Sequence, residues 1–211
     1  MPSFFGSILS GALARQPAGT AVRQGNHAEL VVSQLLPRYA EVNRQGKAVY
    51  QARATLVATS LVGTAMVGLQ LYNPSSTMDL IILKLGGSIV ATSATQTGVV
   101  LASGTGQLIA PTSQTAISRQ QNGYITSGAP TGVGIAYNAG TFTNAPVAFM
   151  DLLHNTAAIA ATGEDPGYFV PIEGSIIVGP LSYVAFAALG GAGAAASNNH
   201  WIEWLEAPVA V

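Results

Sequence analysis

The fold class follows from residues 66–85, which are MVGLQLY, NPSST and MDLIILKL in succession. The first run ends at Asn73-Pro74-Ser75-Ser76, a strong turn sequence. The second β-rich run, 79–85, stops at Gly86-Gly87. Because β-branched and aromatic residues favour strands whereas Asn, Pro and Gly favour turns, this segment predicts two strands joined by a short turn.

The same pattern continues along the rest of the chain. Further short apolar runs lie at 88–92, 98–102, 132–137, 146–153, 168–171, 175–178, 182–189 and 200–206. About ten short strands separated by turn residues, with almost no helical period, predict an all-β sandwich or barrel. Residues 27–57 are also expected to be extended, although Asn26 and Glu29 resemble a helix-capping pair.

Composition separates this chain from most soluble domains. It has 211 residues, of which 49% are hydrophobic and only 8% charged. That balance excludes a disordered protein, which needs low hydrophobicity and high net charge. A surface with so few charges also favours a protein that works inside an assembly rather than as a free monomer.

Charge is distributed unevenly between the two ends of the chain. The first 53 residues hold six basic and two acidic side chains, and the rest holds two basic and seven acidic ones. The basic residues are spread out and lack interleaved aromatic residues, so we expect an acidic protein surface as partner and no nucleic acid.

The N-terminal 25 residues are interpreted as an arm that orders on a partner, followed by a β-sandwich domain at 26–211. A short apolar patch at near-helical spacing and two arginines mark the arm as partner-binding. These residues are Phe4, Phe5, Ile8, Leu9, Arg15 and Arg23. A helix this short is not stable alone in water, so its apolar side chains need a partner.

No pattern in the chain predicts an active site. The chain has no cysteine, which excludes thiolate chemistry and disulfides. His27, His154 and His200 are far apart in sequence, and none has a second ligand at metal-binding spacing. The acidic pair in 164–167 is interpreted as a solvated turn, and the glycine-rich 103–106 as a hairpin loop without a phosphate-binding lysine. We therefore predict a non-enzyme with no catalytic, cofactor-binding or metal-binding residue.

Two features could indicate other functions. The charge-free run 174–197 is long enough to cross a membrane, but its Gly and Pro residues argue against a membrane helix. Trp201 and Trp204 could stack on a sugar, although core and inter-subunit packing is the favoured interpretation.

Several segments resemble small structural proteins of tailed bacteriophages. They are 29–33, 38–41, 46–50, 69–76, 79–86 and 201–208. The resemblance implies a capsid decoration or cement protein with a jelly-roll-like fold, bound to the major capsid protein as a homo-oligomer, with a trimer favoured. It further implies a location in the virion capsid after assembly in the host cytoplasm, with no membrane partner.

Two alternatives stay open at this point. One is a head-fibre or tail module that binds host-surface glycans through exposed loop tyrosines, namely Tyr124, Tyr137 and Tyr168. The other is a cupin-like metal enzyme, for which the clustered His and Glu ligands are missing from the sequence.

Overall fold

The computed structural model describes residues 49–91, 98–107, 110–116, 121–122, 132–154, 167–189 and 197–209. The strands in these residues are β1 (Val49–Ala58), β2 (Ala65–Tyr72), β3 (Met78–Ala91), β4 (Gly98–Gly104), β5 (Thr112–Ala116), β6 (Gln121–Asn122), β7 (Ile135–Thr141), β8 (Val147–His154), β9 (Gly167–Val178), β10 (Tyr183–Leu189) and β11 (Ser197–Pro208). The boundary expected between residues 25 and 26 lies outside the described residues.

The strands form two sheets. Sheet 1 has the order β6-β1-β11-β3-β9, and sheet 2 has the order β5-β7-β2-β10-β4-β8. All neighbouring strands within each sheet pair antiparallel. The two sheets pack face to face, so the predicted all-β antiparallel sandwich is confirmed.

The main core lies between the sheets. Its largest fully buried members include Trp204 and Ile82 from sheet 1 and Leu101 and Phe186 from sheet 2. Trp204 also stacks on Tyr50 of the neighbouring strand, with ring centroids 5.9 Å apart. Large aromatic side chains bury the most apolar area per residue, so this cluster supplies much of the driving force for folding.

Sheet 2 carries a second apolar cluster on its opposite face. Along β10, Val184 and Phe186 belong to the main core, whereas the alternating Tyr183 and Ala185 belong to the second cluster. The ring of Tyr183 stacks on Phe142 with centroids 3.7 Å apart. The other buried members are Met66, Tyr72, Val100, Tyr137 and Ala187. Burial on both faces explains why β10 is a continuous apolar run without polar alternation.

The expected end of a strand at Gly86-Gly87 is wrong, because β3 continues through both glycines. Gly86 pairs with Trp201 on one side and with Phe169 on the other. A Cβ at Gly86 would lie 2.8 Å from ring atoms of Trp201 and 2.7 Å from the Tyr168 carbonyl oxygen. Glycine is used here to make room for neighbouring groups and not to turn the chain.

Two expected strands at 168–171 and 175–178 are one element, β9, with an irregularity between them. Ile82 of β3 faces Ile176, whereas Lys84 faces Pro171, so β9 contains a bulge of several residues. Glu173 and Gly174 have positive φ angles of 51° and 90° within that bulge. The sequence therefore indicates the position of the irregularity correctly, but the chain pairs with β3 again after it and does not start a new strand.

Three smaller expectations also differ from the structure. Residues 103–106 are not a hairpin loop, since β4 pairs with β8 and β10 and not with the next strand, β5. The run predicted at 132–137 becomes a strand only at Ile135. The short strands β5 and β6 were not predicted, because their sequences are polar and carry no strand signal.

Candidate functional site

The six arm residues lie outside the described part of the chain. They are Phe4, Phe5, Ile8, Leu9, Arg15 and Arg23. His27, Tyr124 and the acidic pair Glu164 and Asp165 also lie outside it. The partner-binding role of the arm therefore stays a prediction.

His200 lies in β11 and is completely buried in a polar cluster between the sheets. Its Nδ1 is hydrogen-bonded to the Tyr168 hydroxyl at 2.7 Å, and its Nε2 to the Thr59 hydroxyl at 3.1 Å. Asn198 extends the cluster by donating a 2.8 Å hydrogen bond to Thr59 Oγ1. The imidazole also stacks on Phe186, with centroids 4.7 Å apart.

Burial sets the protonation of this cluster. Loss of hydration lowers the pKa of His200 to about 3 and raises the pKa of Tyr168 above its usual value. Both groups are therefore neutral at physiological pH. Since each ring nitrogen of His200 contacts a hydroxyl, the cluster ties β9, β11 and the segment after β1 together and has a structural role.

Glu206 near the end of β11 links the two sheets. Its carboxylate accepts backbone hydrogen bonds from Val133 and Gly134, both 2.9 Å, in the segment just before β7. The indole Nε1 of Trp204 donates a third hydrogen bond of 3.2 Å. Gly132 and Gly134 leave no room for side chains here, since a Cβ on Gly132 would lie 2.7 Å from Glu206 Oε1. The segment 132–134 thus binds a carboxylate of the protein itself.

Apolar side chains are exposed along one edge of the sandwich. Among the described strands, β8 is the last of sheet 2 and β9 the last of sheet 1, and the two strands are in contact. Val147 and Phe149 on β8 are 71% and 48% exposed, and Ile177 on β9 is 56% exposed. We call these three residues the edge patch.

A cavity of about 340 Å³ adjoins the edge patch. Phe149 and Ile177 line it together with the ends of β4 and β10. Outer strands of a sheet present unpaired backbone groups, and soluble proteins normally cover them or place charges on them. This patch is not predictable from the sequence, because the run 146–153 indicates a strand but not that the strand lies at the edge of a sheet.

The aromatic residues singled out from the sequence have different environments. Trp204 is a core residue, as the favoured interpretation required, whereas Trp201 lies partly exposed on the outer face of sheet 1. Tyr137 is buried in β7, and Tyr168 lies in β9 with its hydroxyl bonded to His200. The expectation that Tyr137 and Tyr168 are exposed loop residues is therefore wrong.

Among the described residues, no three His, Cys, Asp or Glu side chains come close enough to hold a metal ion. In the same part of the chain there is no helix of the length and apolar character needed to span a membrane. Comparisons of the chain with family models, curated proteins and solved structures find no match.

Proposed function

We propose that this chain is a structural virion protein, a capsid decoration or cement protein that binds the major capsid protein and stabilises a phage head shell. The observation that carries the proposal is the edge patch. Exposed apolar side chains on outer strands mark a site of protein association. A shell whose subunits leave apolar grooves at their boundaries would cover Val147, Phe149 and Ile177.

The connectivity of the strands supports a jelly-roll assignment. Within the sheets, the chain alternates between the set β1-β11-β3-β9 and the set β2-β10-β4-β8. Each step from β1 to β4 and from β8 to β11 crosses from one sheet to the other. Jelly rolls of two four-stranded sheets serve as viral capsid, lectin and cupin domains. The fold alone does not distinguish these functions, so the proposal depends on which residues are exposed at the surface.

Burial at the edge patch would supply the affinity. Apolar surface removed from water contributes about 25 cal/mol per Å², from which the entropy of association must be subtracted. A homotrimer, the favoured oligomer, would present three such patches at once. Linked contacts of this kind raise the overall affinity without new chemistry, because the second and third contacts form at high effective concentration.

The test uses shells of the virus that encodes the chain, prepared without the protein and then supplied with it. The wild-type protein should bind the shells and raise the temperature at which they release their genome, measured with a DNA-binding dye. Phe149→Ser should lose most of this binding. Val62→Ser is the matched control, since Val62 is also exposed and apolar but lies outside the edge patch.

Two results would contradict the proposal. Shells that lack the protein could prove as heat-resistant as complete particles. Alternatively, the Phe149→Ser protein could decorate shells as tightly as the wild type, which would place the contact elsewhere.

A further inference from the structure

The outer face of sheet 1 brings an arginine and two aromatic rings into one line across four strands. Arg53 of β1 lies opposite Trp201 of β11, Trp201 opposite Gly86 of β3, and Gly86 opposite Phe169 of β9. We call these four residues the aromatic row. Since Gly86 has no side chain, the indole of Trp201 lies against its backbone, 2.8 Å from where a Cβ would be.

The two rings of the aromatic row form one platform. The centroids of Phe169 and Trp201 are 5.9 Å apart and their planes are tilted by 37°. Phe169 is 62% exposed, which is unusual for so large an apolar ring. The platform therefore presents an apolar surface to solvent on the outer face of sheet 1, between β11 and the outer strand β9.

Polar groups lie beside the Trp201 end of this platform. A shallow cavity of about 550 Å³ beside it is lined by Gln51, Arg53, Ser88, Asn199 and Trp201, among others. That volume is within the range of small-molecule sites, about 300–1,000 Å³. The amide, hydroxyl and guanidinium groups supply both donors and acceptors, which suits a ligand with many hydroxyl groups.

The rows on either side of the platform are polar as well. On one side Asn199 faces Ser88, and their side chains are hydrogen-bonded at 3.4 Å. On the other side Lys84 and Glu203 form a 3.2 Å ion pair. The aromatic row is therefore flanked by a polar row on each side. A partner protein with a continuous apolar face would not complement such a surface, in contrast to the edge patch.

We propose that the aromatic row and its cavity bind a pyranose unit of a glycan. A pyranose has an apolar face of C–H groups and a rim of hydroxyls. The outer face of sheet 1 likewise combines an apolar platform with polar side chains beside it. The apolar face would stack on Trp201 and Phe169. The hydroxyls would be bound by Arg53, Gln51 and Asn199. This site is separate from the edge patch and goes beyond the shell-binding function.

The test starts with the full-length chain on an array of defined glycans. Each glycan that binds is then titrated in solution while tryptophan fluorescence is recorded. The chain has only two tryptophans, and Trp204 is completely buried, so a change reports on Trp201. Phe169→Ser and Trp201→Leu should each weaken binding about tenfold, the loss expected when one stacked ring is removed. Their affinities are compared with the wild type by isothermal titration calorimetry, because Trp201→Leu lacks the fluorescent reporter.

Phe149→Ser is the matched control, since it removes a phenyl ring that is 48% exposed on an outer strand of sheet 2 and should leave glycan affinity unchanged. The proposal is overturned if no array glycan binds the wild-type chain, or if Phe169→Ser and Phe149→Ser bind glycans equally. It is also overturned if Phe169→Ser converts an oligomer into a monomer in sedimentation, since a second copy would then cover the face. None of these outcomes depends on shell binding, which is tested through Phe149.

Discussion

His200 makes the stability of the protein depend on pH in a predictable direction. Burial lowers its pKa to about 3 in the folded protein, whereas the unfolded chain takes up the proton near pH 6.5. Between these two values the unfolded state binds more protons, so the contribution of His200 is complete above pH 6.5 and is lost progressively towards pH 3. On lowering the pH from 7 to 5, this residue alone should cost about 2 kcal/mol of unfolding free energy.

The measurement is urea unfolding at both pH values for the wild type and for His200→Gln. Glutamine offers a donor and an acceptor but does not titrate, so the variant should be less stable at pH 7 and lose less stability at pH 5. If both proteins lose the same free energy between pH 7 and 5, the titration of His200 is not responsible.

Gly87 occupies a position that no side chain can enter. A Cβ there would collide with the Asn199 carbonyl oxygen and would lie 2.8 Å from the Tyr168 hydroxyl and 2.9 Å from His200 Nδ1. Gly87→Ala should therefore destabilise the fold by about 2–3 kcal/mol, through overpacking and disturbance of the Tyr168–His200 hydrogen bond. Urea unfolding at pH 7 measures the loss. Gly63→Ala is the control, since its nearest contact would be an ordinary 3.8 Å, and equal losses in both variants would refute the steric explanation.

Between elements, Glu206 holds the segment before β7 against β11. Glu206→Ala would leave the amides of Val133 and Gly134 without their acceptor, which should cost about 2–3 kcal/mol. Hydrogen exchange should show that the substitution speeds exchange of those two amides more than exchange of the amides in β7. Glu203→Ala on the same strand is the control. Its carboxylate binds the partly exposed Lys84 and the exposed Gln51, which water can solvate after the substitution, so the loss should be about 1 kcal/mol or less. Unchanged exchange at Val133 and Gly134 in Glu206→Ala would contradict the linking role.

The sequence predicts the separate strands better than it predicts their ends and neighbours. β2 and the turn after it agree with the pattern of apolar residues and turn formers, which are local signals. The continuation of β3 through Gly86 could not be predicted, because it depends on Trp201 and Tyr168 from distant strands. A glycine that makes room for a neighbour and a glycine that turns the chain look the same in one sequence.

For the whole molecule, the candidate sites follow from the order of strands in each sheet. The exposure of Phe149 and of Phe169 depends on β8 and β9 being the last strands of their sheets. That order arises from long-range pairing, which leaves no local signal. The low charge content predicts a protein that works inside an assembly, but it does not indicate which surface takes part. Likewise the sequence indicated that Trp201 or Trp204 could contact a sugar, and only the structure separates the partly exposed ring from the buried one.

The predicted arm at residues 1–25 can be separated experimentally from the sandwich. The described core clusters are formed by residues between Tyr50 and Trp204, so deletion of residues 2–25 should leave a folded, β-rich protein. If Phe4 and Phe5 anchor the arm to a shell, their burial contributes roughly 3–6 kcal/mol before the cost of ordering the segment, and the deletion should bind shells weakly. Circular dichroism, thermal unfolding and shell binding at low and high salt test this, since contacts of Arg15 and Arg23 should weaken as ionic strength rises. A truncated protein that unfolds, or that decorates shells as tightly as the full chain, would show that residues 1–25 do not form a partner-binding arm.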